Sequence, residues 1–330
     1  MGAEDLVKVL NKVAPFDHPW VDTQVGPMED ATLVRPESGS PLAFSVDFIT
    51  PIVDDPETYG AIAAANSLSD IYAMGGDPQV ALAVCGFPEG DVSHDVLVRI
   101  FRGGRDKAAE AGCAIAGGHT VIDPELKYGL CVLGSLGERS LAQTGTRVGD
   151  RLILTKPIGT GIASQAIKSQ QLSDAELASA VEVMITLNRD AKDAALAVEA
   201  NAATDVTGFG LLGHLHHLVL GGGVAARVYA DSVPALEFSR RLVAEGVAPA
   251  GSKRNLAYVE ARARFDPDLP ESERLLLCDA QTSGGLLISV PAERESALLS
   301  ELKGRNTLAA AVIGEVTDGP AGRVEVRARA

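Results

Sequence analysis
The sequence predicts an α/β (α+β) protein made of two domains, and three observations carry that expectation. Apolar runs of strand length alternate with helix-period stretches along most of the chain, which argues against both a helical bundle and a sandwich. A length of 330 residues suits about two domains of ordinary size, each with its own core. Between them, "GERSLAQTGTRVG" is polar, rich in turn formers and without apolar period. The chain therefore divides into an N-terminal domain at 1–136, a linker at 137–149 and a C-terminal domain at 150–330.

Taken in order, "MGAEDLVKVLNKVAPF" is amphipathic with acids early, unlike the basic start of a signal peptide or an Arg-rich transit peptide. "PLAFSVDFIT" predicts a strand. "PETYGAIAAANSLSDIYAMGG" predicts a helix with Asp55 as N-cap, Pro56 in the first turn and Gly75-Gly76 at its end. "QVALAVCGF" reads as a buried strand, "SHDVLVRIFRGGRDKAAEAG" as a helix, and "CAIAGGHTV" and "YGLCVLGSLGE" as strands. After the linker, "DRLILTKPIGTGIASQAIKS" predicts strand, glycine turn and helix. A long helical stretch follows over "DAELASAVEVMITLNRDAKDAALAVEAN", and strands close the chain at "GGLLISVP", "AAVIGEV" and "RVEVRAR".

The net charge of −15, with no basic stripe, opposes binding to polyanions and so argues against a nucleic-acid partner. No apolar run approaches the ~18 residues of a membrane span, and a cytoplasmic location is expected. The four cysteines, Cys85, Cys113, Cys131 and Cys278, are scattered in apolar runs and read as small buried hydrophobes. His214, His216 and His217 lack HExxH or a cysteine pair and read as helix positions rather than a zinc site.

Four aspartates stand where chemistry is usually placed: Asp30, Asp47, Asp70 and Asp205. Asp47 interrupts an apolar strand, where an unpaired carboxylate would cost on the order of several kcal/mol, so a cation or donors must lie nearby. Asn66 and Asp70 are four apart on the predicted helix and share one face. An amide and a carboxylate so placed suit a hydrated Mg²⁺ and a phosphate oxygen. Gly117-Gly118 end an apolar strand where a ligand can approach the backbone, with His119 following as a donor. Gly159 and Gly161 follow another strand, but Ser164 replaces the third glycine of a fingerprint, and no GxxxxGK[ST] is present.

"TDVTGFGLLGHLHH" contains a complete GxGxxG at Gly208, Gly210 and Gly213. A dinucleotide fingerprint needs a buried strand running into its first glycine, and the preceding "EANAATDVT" is short and polar. The expected alternative is a metal-ligand turn carrying Asp205 into a helix whose first amides face an anion. "CDAQTSGGLL" reads as a tight turn at an active site or a domain interface.

Together, "SVDFITPIVDDP", "AAANSLSDIYAMGGDP", "AIAGGHT", "LTKPIGTG", "TDVTGFGLLGHL" and "LCDAQTSGGLL" resemble the selenophosphate synthetase family, within the aminoimidazole ribonucleotide synthetase superfamily. The resemblance runs from about Asp22 to the end, with Ala280 where the family has Pro. It implies a two-domain aminoimidazole ribonucleotide synthetase-like fold: an N-terminal ATP/Mg-binding domain whose mixed sheet serves dimerisation, and a C-terminal α/β domain. The implied reaction is selenide, ATP and water to selenophosphate, AMP and phosphate, by a homodimer with no membrane or nucleic-acid partner. By the same resemblance, Asp30, Asp70 and Asp205 bind Mg²⁺, while Asp47, Asn66, Asp70, Gly118, His119 and Thr120 contact ATP, together with Pro27, Met28 and Glu29. K⁺ is an accessory cofactor to be tested.

The chain departs from the family at its front. The family's glycine-rich segment, with a reactive Cys or Sec and a following Lys, would lie upstream of Met1, so no catalytic residue of that kind is assigned. The expectation is that the open reading frame, or the piece expressed, starts late. The alternatives are a non-catalytic or differently specific ATP-binding paralogue and, from the GxGxxG, an NAD-binding protein.

Overall fold
The computed structural model describes residues 12, 18–21 and 29–329. Pro27 and Met28 lie outside the described residues.

Residues 32–135 supply one five-stranded sheet: β1 (Thr32–Val34), β2 (Leu42–Ile49), β3 (Asp77–Phe87), β4 (Ala114–Ile122) and β5 (Lys127–Ser135), in the order β1-β2-β5-β3-β4. All pairs are antiparallel except β3 with β4, so the sheet is mixed. Two helices, α1 (Pro56–Ala73) and α2 (His94–Glu110), cover one face. The start of α1 follows from its residues: Asp55 accepts from the Thr58 N–H at 2.9 Å, and Pro56 takes the first helical position. Gly75, at φ +81°, turns the chain away from the helix end. The two helices cross through glycines: a Cβ at Gly60 would lie 2.0 Å from the Ile100 carbonyl oxygen, and one at Gly103 would lie 1.9 Å from that of Glu57. That close crossing presses α1, alanine-rich and almost wholly buried, onto the sheet.

Among the described residues nothing covers the opposite face of this sheet. Strand alternation places Ser45 and Asp47 toward α1, and Phe44, Val46 and Phe48 outward. The expectation that "QVALAVCGF" is a buried strand is therefore corrected: among the described residues β3 is covered on one face only, and Leu82 is half exposed. Likewise "CAIAGGHTV" forms an exposed edge strand, because nothing among the described residues pairs beyond β4.

Residues 151–327 supply a seven-stranded sheet of β6 (Arg151–Leu154), β7 (Ala202–Asp205), β8 (Ala225–Tyr229), β9 (Ala263–Phe265), β10 (Leu286–Val290), β11 (Ala311–Thr317) and β12 (Val324–Arg327). The order is β7-β10-β6-β11-β8-β12-β9, and only β12 pairs in parallel, with β8 and β9. The helices that join these strands are α3 (Thr160–Lys168), α4 (Asp174–Ile185), α5 (Arg189–Ala197), α6 (Gly210–Gly221), α7 (Glu237–Ala244), α8 (Ala250–Glu260), α9 (Glu271–Leu277) and α10 (Glu295–Gly304).

Two further expectations are corrected here. The long helical stretch after Ser173 is two helices, α4 and α5, broken where Thr186 turns extended. The residues before the GxGxxG are not a polar run, because Ala202–Asp205 form a fully buried strand paired with β10. Its four side chains are short, so burial comes from neighbours rather than from their own hydrophobicity. No described helix is long and apolar enough to cross a membrane.

Candidate functional site
Three elements bring carboxylates to one place between the two units. β2 carries Asp47, α1 carries Asp70, and the end of β7 carries Asp205, while Asp30 comes from the segment before β1. Thr204, beside Asp205, donates its hydroxyl to Asp30 Oδ1 at 2.8 Å, tying the second unit to the first. Asn66 Nδ2 donates to Asp47 Oδ2 at 2.6 Å, and the Ser45 hydroxyl donates to Asp70 Oδ2. The Gln143 N–H donates to Glu29 Oε1 at 3.0 Å.

These acids feel one another. Burial pushes Asp70 well above the usual carboxylate range, and the charges of Asp205, Asp47 and Asp30 push it further. Burial raises Asp30 as well, assisted by Asp205 and Glu29. Asp47 and Asp205 are each pushed up to about 6, and Glu29 to about 7, in every case mainly by burial. A cation entering the cluster would offset this burial and mutual repulsion and favour the fully ionised form.

One internal cation stands close by. Lys156 is fully buried at the end of β6 and donates to the carbonyls of Thr186 at 2.6 Å and Ser283 at 2.8 Å. Burial lowers it to about 7, against the raising influence of Asp205, so it cannot balance the cluster alone.

The donor set suits a hard divalent ion. Asp30 Oδ2, Asp205 Oδ2 and Glu29 Oε2 are buried oxygens without a hydrogen-bond partner among the described residues. Ligand atoms of Asp30, Asp205 and His214 lie within 4.8 Å of one another. His214 Nε2, however, accepts the Thr207 N–H at 3.1 Å, so that lone pair is engaged, and burial lowers the imidazole to about 4. Its function here is to hold the turn after Asp205, leaving carboxylate oxygens to meet a metal.

Of the residues singled out from the sequence, the structure brings Glu29, Asp30, Asp47, Asn66, Asp70 and Asp205 together. It places Gly118, His119 and Thr120 elsewhere, lining a cavity of about 440 Å³ with Phe101, Arg105 and Tyr128, to which none of the four aspartates contributes. The amide of Asn66 is bonded at both ends within the protein, Nδ2 donating to Asp47 and Oδ1 accepting from the Ser283 N–H at 2.8 Å. The glycine turn "KPIGTG" is closed to anions: Asp279 Oδ2 accepts from Gly161 and Ile162, and Gln281 Oε1 from Gly159 and Thr160. Ser45, Thr204 and Lys156 were missed by sequence reasoning. Only Lys156 carried a signal, as a lysine ending an apolar strand.

Comparison with known proteins sets the class first. The N-terminal domain of AIR synthase related proteins matches residues 28–136, and their C-terminal domain matches residues 147–327. The fold is shared with a thiamine monophosphate kinase from Aquifex aeolicus, at TM-score 0.69 and 19% identity, covering 100% of this chain and 97% of that one. It is shared equally with the hydrogenase maturation protein HypE from E. coli, at TM-score 0.67 and 18% identity over 98% and 93%. These two likenesses speak for the fold alone.

Sequence places the chain more finely. It is 43% identical to a selenide, water dikinase from Myxococcus xanthus, covering 98% of this chain and 92% of that protein. A second, from Carboxydothermus hydrogenoformans, is 40% identical over 99% and 94%, and a third, from Geobacter metallireducens, 45% over 88% and 85%. The chain belongs to the selenide, water dikinase family.

Proposed function
We propose that this chain makes selenophosphate from selenide, ATP and water, releasing AMP and phosphate. The observation that carries the reading is the buried cluster of Asp30, Asp47, Asp70 and Asp205 across two units, with orphan oxygens and no sufficient internal cation. An acidic pocket of this kind meets a triphosphate only through metal ions.

In this reading, Asp30, Asp70 and Asp205 hold Mg²⁺, and Ser45 and Thr204 orient two of those carboxylates for it. When bound, Mg²⁺ would neutralise the triphosphate and the charge that develops on the transferred phosphoryl groups. Asp47, oriented by Asn66, contacts ATP, together with Pro27, Met28 and Glu29. Gly118, His119 and Thr120 stand outside their own chain's cluster, beside the uncovered sheet face. Pairing of two chains through that face, as a homodimer, is the arrangement that would bring them to a nucleotide. K⁺ would act as an accessory ion, and the cytoplasm is the compartment that fits.

The test is product analysis under anaerobic, reducing conditions with Mg²⁺. With the family's Cys- or Sec- and Lys-bearing segment joined to the chain, AMP, phosphate and selenophosphate should form from ATP only when selenide is supplied, and the chain without that segment should turn over poorly. ADP as the end product, or AMP formation indifferent to selenide, would contradict the reading.

A further inference from the structure
The turn Gln281–Gly285 reaches from the second unit onto α1, and nearly every polar group on it is in use. The Ser283 N–H donates to Asn66 Oδ1 at 2.8 Å, and the Ser283 carbonyl accepts from Lys156 Nζ at 2.8 Å. The Gly284 carbonyl accepts at 2.8 Å from Asn188 Nδ2, which also donates to Ser69 Oγ at 2.8 Å. Neither glycine of the turn can carry a side chain without moving backbone: a Cβ at Gly284 would lie 2.1 Å from the Val206 carbonyl oxygen and one at Gly285 would lie 2.4 Å from the Lys156 backbone nitrogen.

Against this background one atom is anomalous. The Ser283 hydroxyl is buried, in a residue 1% exposed, and has no hydrogen-bond partner among the described residues. The residue also sits at φ +48°, a left-handed conformation in which glycine is the cheaper choice and glycine already fills the next two positions. A side chain that is strained, buried and unsatisfied gives the empty protein nothing. It stands one hydrogen bond from Asn66, which holds Asp47, and one from Lys156, which feels Asp205. Its neighbours on both sides thus lead into the carboxylate cluster.

We propose that Ser283 is a further binding residue of the candidate site, its hydroxyl donating to a phosphoryl oxygen of the bound nucleotide. The proposal rests on the nucleotide reading given above. It makes the backbone of the turn the clamp between units and its one orphan hydroxyl the ligand contact.

The test uses the whole chain with Ser283→Ala and Ser283→Gly, read by calorimetric titration of Mg²⁺-ATP, by Mn²⁺ titration without nucleotide, and by thermal melting. Removal of an orphan hydroxyl should leave the free protein as stable as wild type or raise its Tm by about 1–3 °C, more for Gly, which also relieves the backbone. Both variants should bind Mg²⁺-ATP about tenfold or more weakly, with Mn²⁺ binding unchanged. Wild-type affinity for Mg²⁺-ATP in both variants overturns the proposal and leaves the nucleotide reading standing. A lowered Tm with unchanged affinity makes the hydroxyl structural and overturns it too, and so does an equal loss of Mn²⁺ binding, which would put the contact on the metal. Failure of the wild-type chain itself to bind Mg²⁺-ATP sinks the nucleotide reading and removes the ligand named here.

Discussion

Asp205 shows how a single side chain links stability to function. Burial pushes its folded pKa from 3.8 up to about 6, so between those values the folded chain holds a proton that the unfolded chain has lost. Stability of the metal-free protein is therefore undiminished by this group below about pH 4, falls as pH rises toward 6, and carries the full penalty above. At about 1.4 kcal/mol per pKa unit, that penalty is about 3 kcal/mol. Metal-free Asp205→Asn should accordingly melt above wild type at pH 7.5, with the gap closing toward pH 4, and Mg²⁺-ATP should raise the Tm of wild type but not of the variant. A gap independent of pH, followed by differential scanning calorimetry, would contradict this. The four aspartates were legible because each breaks an apolar or small-residue context. Thr204 and Ser45 were not, because a hydroxyl in a strand signals nothing until its partner across the seam is known.

At the scale of elements, local rules sufficed where local chemistry decides. The cap at Asp55, Pro56 in the first turn and the stop at Gly75-Gly76 were readable in full, and the structure keeps them. They failed where distant residues decide. The break between α4 and α5 depends on Asn188, whose amide is tied to Ser69 and Gly284, 119 and 96 residues away. β7 is a strand because β10 pairs with it, although its own residues are short and polar-flanked. "KPIGTG" has the composition of an anion loop, yet its amides are filled by Asp279 and Gln281, more than a hundred residues later in the chain. "TDVTGFG" differs in that its turn is held from behind by His214, which leaves the Asp205 carboxylate facing the seam.

For the whole molecule, the sheet face that no described residue covers is the outstanding feature. Phe44, Val46 and Phe48 on β2 and Leu82 on β3 are each about half exposed, with Val121 beside them on the edge strand. A contiguous apolar surface of this kind marks an interface, and it adjoins the strand that carries Gly118, His119 and Thr120. The wild-type chain should run at twice its chain mass in light scattering and Val46→Glu at the single mass; a monomeric wild type would remove the homodimer. The deeper claim is that neither unit holds the nucleotide alone, since Asp70 comes from the first and Asp205 from the second. Calorimetric titration of Mg²⁺-ATP into wild type, Asp70→Asn and Asp205→Asn tests that most directly. Each single variant should lose about a hundredfold in affinity, as expected when a ligand carboxylate is removed from a buried metal site. Undiminished binding by Asp205→Asn would confine the site to the first unit and contradict the account.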